Sequence, residues 1–262
     1  MPTALLFVHT SQGFVVGSDL RRRRSDGACV DENTQKLFPF DKFVVYGLGG
    51  TVQFTQDESD AMILDLVQEL GGALTRVASS NPSDLLQHAR RACEEVNEKL
   101  DKIKSDGSIE SYPKGLPGGV DPGIMARAFF AGYYNGKPEF VEVHFEHKEQ
   151  VLLNPTGQHL PLDQGVLQGY GSSTILSMFS KRARALARYL PRSAGQGTMQ
   201  LSGGIALVKS YFRACRDPEI SRLDVPHCGS LSTKIHIATI TPDRGFAWLR
   251  GYGPIREALS RA

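Results

Sequence analysis

Thr3, Asp19 and Lys36 lie near the beginning of the chain and carry the side chains of a candidate nucleophilic site. A threonine hydroxyl can attack a carbonyl when the residue's own α-amine acts as general base, which requires Thr3 to be the first residue of the mature chain. A nearby lysine cation lowers the pKa of the hydroxyl and of the amine, and an aspartate keeps the lysine charged and oriented. We therefore expect Thr3 to be the nucleophile and Lys36 and Asp19 to form its activating pair.

The length and composition suit one large globular domain or two small ones. The chain has 262 residues, of which 40% are hydrophobic and 22% charged, and we expect residues 1–262 to form a single domain with a Gly/Pro-rich surface loop at about 105–123. The net charge of +2 favours neither a nucleic-acid partner nor a membrane. No apolar stretch is long enough for a membrane span, and four scattered cysteines form no zinc or disulfide pattern. We expect a cytoplasmic protein without metal or cofactor.

Hydrophobic periodicity and turn signals predict the element order ββββ, αα, βββ, α, α, ββ. The predicted strands are Thr3 to Thr10, Phe14 to Asp19, Gln35 to Phe40, Phe43 to Tyr46, Arg127 to Tyr134, Phe140 to Phe145, Val151 to Leu153, Lys234 to Thr241 and Gly245 to Leu249, with Gly165 to Tyr170 leading into the third helix. The first predicted helix carries Ile63 to Val77, and the second starts at Asn81 and Pro82. The third carries Ile175 to Tyr189, and the fourth carries Ile205 to Cys215.

Strands gathered in blocks, with helices in pairs, do not fit βαβ alternation. They are typical of two antiparallel sheets stacked face to face with helices outside each. The predicted fold class is therefore α+β, as a four-layer αββα sandwich.

Five segments carry a resemblance to a known family. T-A-L-L-F-V-H-T-S-Q-G-F-V-V-G-S-D-L-R opens the chain at Thr3, N-T-Q-K-L-F-P-F holds Lys36, G-L-G-G holds Gly49, G-Y-G-S-S-T holds Ser172, and A-C-R-D-P-E holds Asp217. In their order and spacing, over nearly the whole chain, they resemble the proteasome-type branch of the N-terminal nucleophile (Ntn) hydrolases, and the chain is similar to a proteasome β-subunit. The resemblance implies that the Gly49 N–H stabilises the oxyanion and that Ser172 and Asp217 support the amine.

The implied activity is that of a proteasome-like threonine-type peptidase or amidohydrolase. We expect it to act on a peptide or small amide substrate, without a cofactor, as a homo-oligomer or ring. The alternative is a catalytically inactive ring or scaffold subunit of the same fold. Pro2 motivates it, because Thr3 has an amide nitrogen without basicity until the Pro2–Thr3 bond is cleaved. Ser173, which stands where the family has a second glycine, also motivates it.

Each residue of the predicted site also has a purely structural explanation. Asp19 is typical of a strand end at a turn, and Lys36 of a sheet edge. The glycines around Gly49 are typical of a turn. Ser172 is a suitable cap for the following helix, and Asp217, before a proline, is typical of a helix end. These explanations and a catalytic role are compatible, since sites are built from residues in such positions.

Overall fold

A computed structural model describes residues 4–23, 29–55, 62–112, 123–191 and 198–254. Within these ranges the chain has a mixed α+β fold with several antiparallel sheets and six α-helices. The strands, in chain order, are β1 Leu5–Thr10, β2 Gly13–Asp19, β3 Arg22–Arg23, β4 Cys29–Asp31, β5 Leu37–Pro39, β6 Val44–Gly50, β7 Gln53–Thr55, β8 Met62–Asp65, β9 Ile124–Tyr134, β10 Lys137–Lys148, β11 Val151–Leu152, β12 Thr156–His159, β13 Leu167–Tyr170, β14 Ile235–Thr241 and β15 Gly245–Trp248. The helices are α1 Leu66–Ala78, α2 Leu85–Ser105, α3 Ser173–Ser180, α4 Leu201–Arg216, α5 Pro218–Ser221 and α6 Val225–Cys228.

The first sheet has five strands in the order β13-β1-β2-β14-β15, and all of its pairs are antiparallel. The predicted hairpin of the first two strands is confirmed, and Gly13 follows its turn at φ +139°, a value that favours glycine. Because β2 pairs with β14 from Asp19 onward, the end of β2 lies in the sheet interior beside the beginning of β14.

The second sheet has six strands, with β11-β10-β9-β6-β5 in order and β12 also paired to β10. Its centre is the predicted hairpin at Asn135 and Gly136, which is confirmed, with φ values of 50° and 76° at the two turn residues. Two further pairs, β3 with β4 and β7 with β8, form separate two-stranded sheets. Neither of these pairs was predicted from the sequence, and β12 was not predicted either.

Two helix starts differ from the prediction. Ile63 lies in β8, and α1 begins only at Leu66, because the Asp65 side chain accepts hydrogen bonds from the backbone N–H groups of Val67 and Gln68. The second helix begins at Leu85 and is capped by Asp84, whereas Asn81 has a left-handed φ of 51°. The predicted start at Asn81 and Pro82 is therefore wrong by one turn.

The third helix is shorter than predicted. It ends at Ser180, and Arg182 has a left-handed φ of 50°, which interrupts the helical backbone. Leu186 then lies in a 3₁₀ turn, Arg184–Leu186, and Tyr189 lies beyond it. Residues 106–112 of the predicted loop after α2 form neither helix nor strand, and residues 113–122 of this loop lie outside the described ranges.

Three hydrophobic clusters hold the described elements together. Leu70 and Leu74 of α1 and Ala92 of α2 pack with Phe130 and Val143 of the six-stranded sheet. The corresponding cluster of the five-stranded sheet includes Leu6 and Val15, with Ile175 of α3 and Val208 and Phe212 of α4. The third cluster takes residues from both sheets, among them Leu5, Phe7, Val45 and Phe129. No helix in the described ranges is both long and apolar enough to cross a lipid bilayer.

Candidate active site

Thr3, the predicted nucleophile, lies outside the described residues, and the site can be followed from the next residue onward. The backbone N–H of Ala4 donates a hydrogen bond to Asp19 Oδ1 at 2.9 Å, and the Asp19 N–H donates to the Ala4 carbonyl at 3.2 Å. Both residues are buried. Asp19 therefore fixes the chain at the residue that is covalently bonded to Thr3.

The Asp19 carboxylate is completely buried and surrounded by hydrogen-bond donors. Besides the Ala4 N–H, Oδ1 accepts a hydrogen bond from Lys36 Nζ at 2.8 Å. Oδ2 accepts from the backbone N–H of Arg21 at 3.0 Å and from that of Ser232 at 3.5 Å. A buried carboxylate needs such donors, because transfer out of water without compensating hydrogen bonds is strongly unfavourable. The predicted pairing of Asp19 with Lys36 is thus present in the fold.

Lys36 directly precedes β5, and only 8% of its surface is exposed. Burial lowers the pKa of the Lys36 ammonium from its usual value, while the neighbouring Asp19 carboxylate acts in the opposite direction. Its side chain is therefore interior, although the β5 that it precedes is an edge strand of the six-stranded sheet in the described ranges. A buried amine with a lowered pKa beside a carboxylate is a feature that occurs often in catalytic sites.

A second group of polar residues surrounds this pair. Arg21 Nε donates to Glu32 Oε1 at 2.7 Å, and the Ser232 hydroxyl donates to Glu32 Oε2 at 3.1 Å. The backbone N–H groups of the same Arg21 and Ser232 are the ones that bind Asp19. Glu32 therefore links the end of β2 to the segment before β14 and holds two of the donors of Asp19 in place.

Gly49 lies in β6, so a turn is not its structural role. The antiparallel register pairs it with Arg127 of β9, and Thr51, two residues further on, donates its N–H to the Met125 carbonyl. Since hydrogen bonds to one neighbour alternate along an antiparallel strand, the Gly49 N–H is also directed at β9. The N–H of Gly50 is directed to the opposite edge of β6, toward β5. The pairing of β5 with β6 begins at Leu37 and Gly47, so it does not extend to Gly50.

A small cavity adjoins Lys36 on this side of β6. It has a volume of about 150 Å³, and its wall includes Lys36, Leu48, Gly50 and Val52, but not Gly49. Gln53, also on the wall, accepts a hydrogen bond from Arg22 and donates one to Asp65. The geometry thus favours Gly50, with φ +102°, over the predicted Gly49 as a backbone donor facing the cavity.

Ser172 is buried between β13 and α3. It caps α3, as its position before this helix predicted. Its Oγ accepts a hydrogen bond from the Ile175 N–H at 3.2 Å, and its own N–H donates to the Tyr211 hydroxyl at 2.7 Å. The register of β1 and β13, in which Leu5 pairs with Tyr170, brings Ser172 to the amino-terminal end of β1. Ser172 therefore lies at the same end of the strand as Ala4.

Asp217 ends α4 and caps α5, which is the structural role that its position before a proline predicts. Its side chain accepts hydrogen bonds from the N–H groups of Glu219 and Ile220 and so caps α5. Its other oxygen accepts from Arg188 Nη2 at 2.7 Å and from the Tyr189 hydroxyl at 2.5 Å. The hydrogen bond from Tyr189 lowers the pKa of Asp217. None of its hydrogen bonds to described residues leads to Asp19 or Lys36, so the structure does not bring Asp217 into this group.

His227, in α6, was not predicted from the sequence as a site residue. It lies close enough to Asp19 and Lys36 for the charges of both to act on its imidazole. Burial lowers the pKa of the His227 imidazole. The Asp224 and Asp19 carboxylates raise this pKa, and the Lys36 cation lowers it further. Its Nε2 is buried and has no hydrogen-bond partner among the described residues. Asp224, which caps α6 through the His227 N–H, is the nearer analogue of the predicted second aspartate.

One group of described residues has the composition of a metal site. Asp84, Glu139 and His159 bring three ligand atoms within 4.8 Å of one another. Asp84 Oδ1 accepts the Gln87 N–H, and Glu139 Oε2 accepts the Leu85 N–H, so both carboxylates already bind the first turn of α2. A role in capping this helix accounts for the two carboxylates without a metal.

Comparison with known proteins adds no further assignment: no family model matches the chain, and a search of curated proteins finds no match.

Proposed function

We propose that the chain is a proteasome-like threonine-type hydrolase that cleaves amide bonds in a peptide or small amide substrate. The proposal rests above all on the buried Lys36–Asp19 ion pair. Its Asp19 carboxylate accepts a hydrogen bond from the N–H of Ala4, just before β1. A purely structural protein gains little from a buried ion pair, because the desolvation of two charges offsets their attraction. The location of the pair beside the residue that follows Thr3 supports a catalytic role.

In the proposed reaction, Thr3 becomes the first residue of the mature chain. Its hydroxyl oxygen attacks the amide carbonyl while the freed α-amine accepts the hydroxyl proton. The C–N bond then breaks, and the leaving amine takes that proton. Water subsequently hydrolyses the threonine ester and releases the acid product. The Lys36 cation favours the neutral amine and the developing alkoxide, and Asp19 keeps the lysine charged.

The cavity beside Lys36 supplies two further parts of the proposal. A backbone N–H on the β6 side would stabilise the oxyanion, and Gly50 is the better candidate because it lines the cavity. The cavity is also a suitable place for one substrate side chain, since apolar Leu48 and Val52 lie on its wall. Gln53 and Asp65 at the same wall would favour a side chain with a polar end.

The proposal includes the four-layer αββα sandwich of this family. Support comes from the hydrophobic cluster shared by the two main sheets and from the helices that pack against each sheet. We further propose a homo-oligomer or ring located in the cytoplasm. Light scattering coupled to size-exclusion chromatography tests the oligomer directly.

The identity of the first residue of the mature protein is the decisive test. Intact-mass measurement should show a chain that begins at Thr3, and this chain should release amine from a panel of fluorogenic peptide amides. Thr3→Ala should lower turnover by at least about a hundredfold, since it removes the nucleophile. Thr75→Ala, on the exposed face of α1, is the matched control and should keep full activity. A chain that retains Pro2 and hydrolyses no member of the panel would exclude the proposal.

Pro2 favours a second candidate function, that of a non-catalytic ring or scaffold subunit. Its fixed φ restricts the approach needed to cleave the Pro2–Thr3 bond, and an uncleaved chain has no free α-amine at Thr3. If the chain is such a non-catalytic subunit, it should form a defined oligomer without hydrolysis, and Thr3→Ala should leave that oligomer unchanged. The same mass and light-scattering measurements therefore separate the two functions.

A further inference from the structure

A large open cleft lies beside α4, apart from the cavity that adjoins Lys36. Its volume is about 890 Å³, within the range of sites that bind small molecules. Its walls come from α4, from the beginning of β14, from residues Tyr252 to Pro254 after β15, and from Asn33 and Gln35. The cleft is therefore built by segments that are distant in sequence and that the fold brings together.

The charged side chains that the described residues contribute to the cleft all have the same sign. They are Lys209, Arg213, Arg216 and Lys234, and no aspartate or glutamate is among the described residues of its wall. None of the four forms an ion pair with a described carboxylate, whereas Arg188, Arg76 and Lys99 elsewhere on the surface each do. The chain as a whole has almost balanced charge, at 30 basic and 28 acidic residues. Such a concentration of uncompensated cations attracts anions into the cleft.

Several of these cations are held in position before any ligand arrives. Arg216 Nη2 donates to the carbonyls of Ser232 and Thr233, at 3.0 and 2.5 Å. Lys234 Nζ donates to Asn33 Oδ1 at 2.7 Å, and Lys209 Nζ lies 4.2 Å from the centre of the Tyr252 ring. Each of these groups keeps further N–H donors for a ligand. Preorganised donors reduce the entropy that is lost on binding.

His236 of β14 also contributes to the cleft wall. Its ring centre lies 5.2 Å from that of Trp248, the single tryptophan of the chain. Phe212 and Ile235, also in the cleft, provide apolar surface for the body of a ligand.

We propose that this cleft binds a small, nucleotide-sized ligand through its polyphosphate group. Four cations without an acidic partner in the described part of the chain match the three or four negative charges of a polyphosphate better than the single charge of a carboxylate. Guanidinium groups bind phosphate through paired hydrogen bonds, and the two arginines on α4 are one helical turn apart. The concave shape favours a small ligand over an extended nucleic-acid strand. This site is independent of the proposed hydrolysis and requires no processing at Thr3.

The test is the binding of ATP and of inorganic tripolyphosphate to the full chain at low ionic strength, by calorimetry and by Trp248 fluorescence. Arg213→Gln and Lys234→Gln should each weaken binding by about tenfold, the loss expected for one charge-assisted hydrogen bond. Lys102→Gln removes one positive charge from an exposed position of α2, outside the cleft, and should leave binding unchanged. Added salt should weaken binding in the wild type.

The affinities of the two ligands show which parts of the cleft take part in binding. If tripolyphosphate binds as tightly as ATP, the cleft recognises the phosphates alone; if ATP binds more tightly, the apolar wall also contributes. Dissociation constants above about 1 mM for both ligands would overturn the proposal. So would equal losses in the cleft variants and in Lys102→Gln. A DNA duplex that binds through the same arginine and lysine, while tripolyphosphate does not bind, would replace the small ligand with nucleic acid.

Discussion

Lys36 Nζ lies 2.8 Å from Asp19 Oδ1, and the two side chains form an ion pair in the protein interior. The carboxylate has additional backbone donors from Ala4 and Arg21, so its position is fixed even apart from the lysine. The lysine has the greater consequence for chemistry, because burial opposes its charge and the Asp19 carboxylate favours it. Replacing Lys36 therefore leaves a buried carboxylate without this cation.

The first prediction concerns the stability of this pair. Lys36→Met should lower the free energy of unfolding by about 3–5 kcal/mol, since it leaves a buried carboxylate without a cation. Asp19→Asn combined with Lys36→Met should be less destabilised than the sum of the single variants. Urea unfolding measures all three. The matched control is Lys99→Met, which breaks an exposed pair with Glu69 and should cost less than about 1 kcal/mol. Strict additivity of the buried pair would contradict this account.

The second prediction concerns pH and His227. Because burial lowers the pKa of His227 in the folded state, the unfolded chain binds more protons at this residue below its usual pKa of about 6.5. Its contribution to stability is therefore present above that pH and is lost as the pH falls through the lowered folded value. His227→Gln should flatten the acid side of the stability profile, measured by urea unfolding between about pH 5 and 7.

The control for His227 is His159→Gln. His159 is half exposed, so this variant shows what the loss of a surface histidine does by itself. Asp224, Asp19 and Lys36 are the charged groups that act on His227, so Asp224→Asn should deepen its acid sensitivity by removing an opposing carboxylate. An acid slope that is identical in His227→Gln and the wild type would show that this imidazole is not buried as described.

Asp19 and Lys36 were predictable from the sequence because they lie in short segments with a recognisable order, and the hairpin signal at Gly13 identifies β2, which Asp19 ends. Ser232 was not predictable as a donor to Asp19, because 213 residues separate the two in sequence. The second aspartate shows the same limit. Asp217 and Asp224 each cap a short helix, with a proline one residue after Asp217 and two residues after Asp224. Only the three-dimensional path of the chain brings Asp224 beside the site.

The third prediction separates the two roles of Ser172. Ser172→Ala removes the cap of α3 and should lower the free energy of unfolding by about 1 kcal/mol. It should also lower turnover if the hydrolase proposal holds, since Ser172 lies at the end of β1 that carries the site. Asp84→Ala removes the cap of α2 and should have a similar effect on stability without any effect on turnover. Equal turnover in both variants would assign Ser172 to helix capping alone.

The fourth prediction concerns the close contact between the two main sheets at Gly49. A Cβ atom at this position would lie 2.7 Å from the Tyr170 ring, so Gly49→Ala should overpack the interface and lower the free energy of unfolding by about 1–3 kcal/mol. Tyr170→Leu in the same chain should recover part of this loss. Gly72→Ala is the control: it lies in α1, its Cβ would meet only the flexible end of Arg76, and alanine favours the helix by about 1 kcal/mol. Urea unfolding that shows both alanine variants to be stabilised would contradict a close packing of β6 against β13.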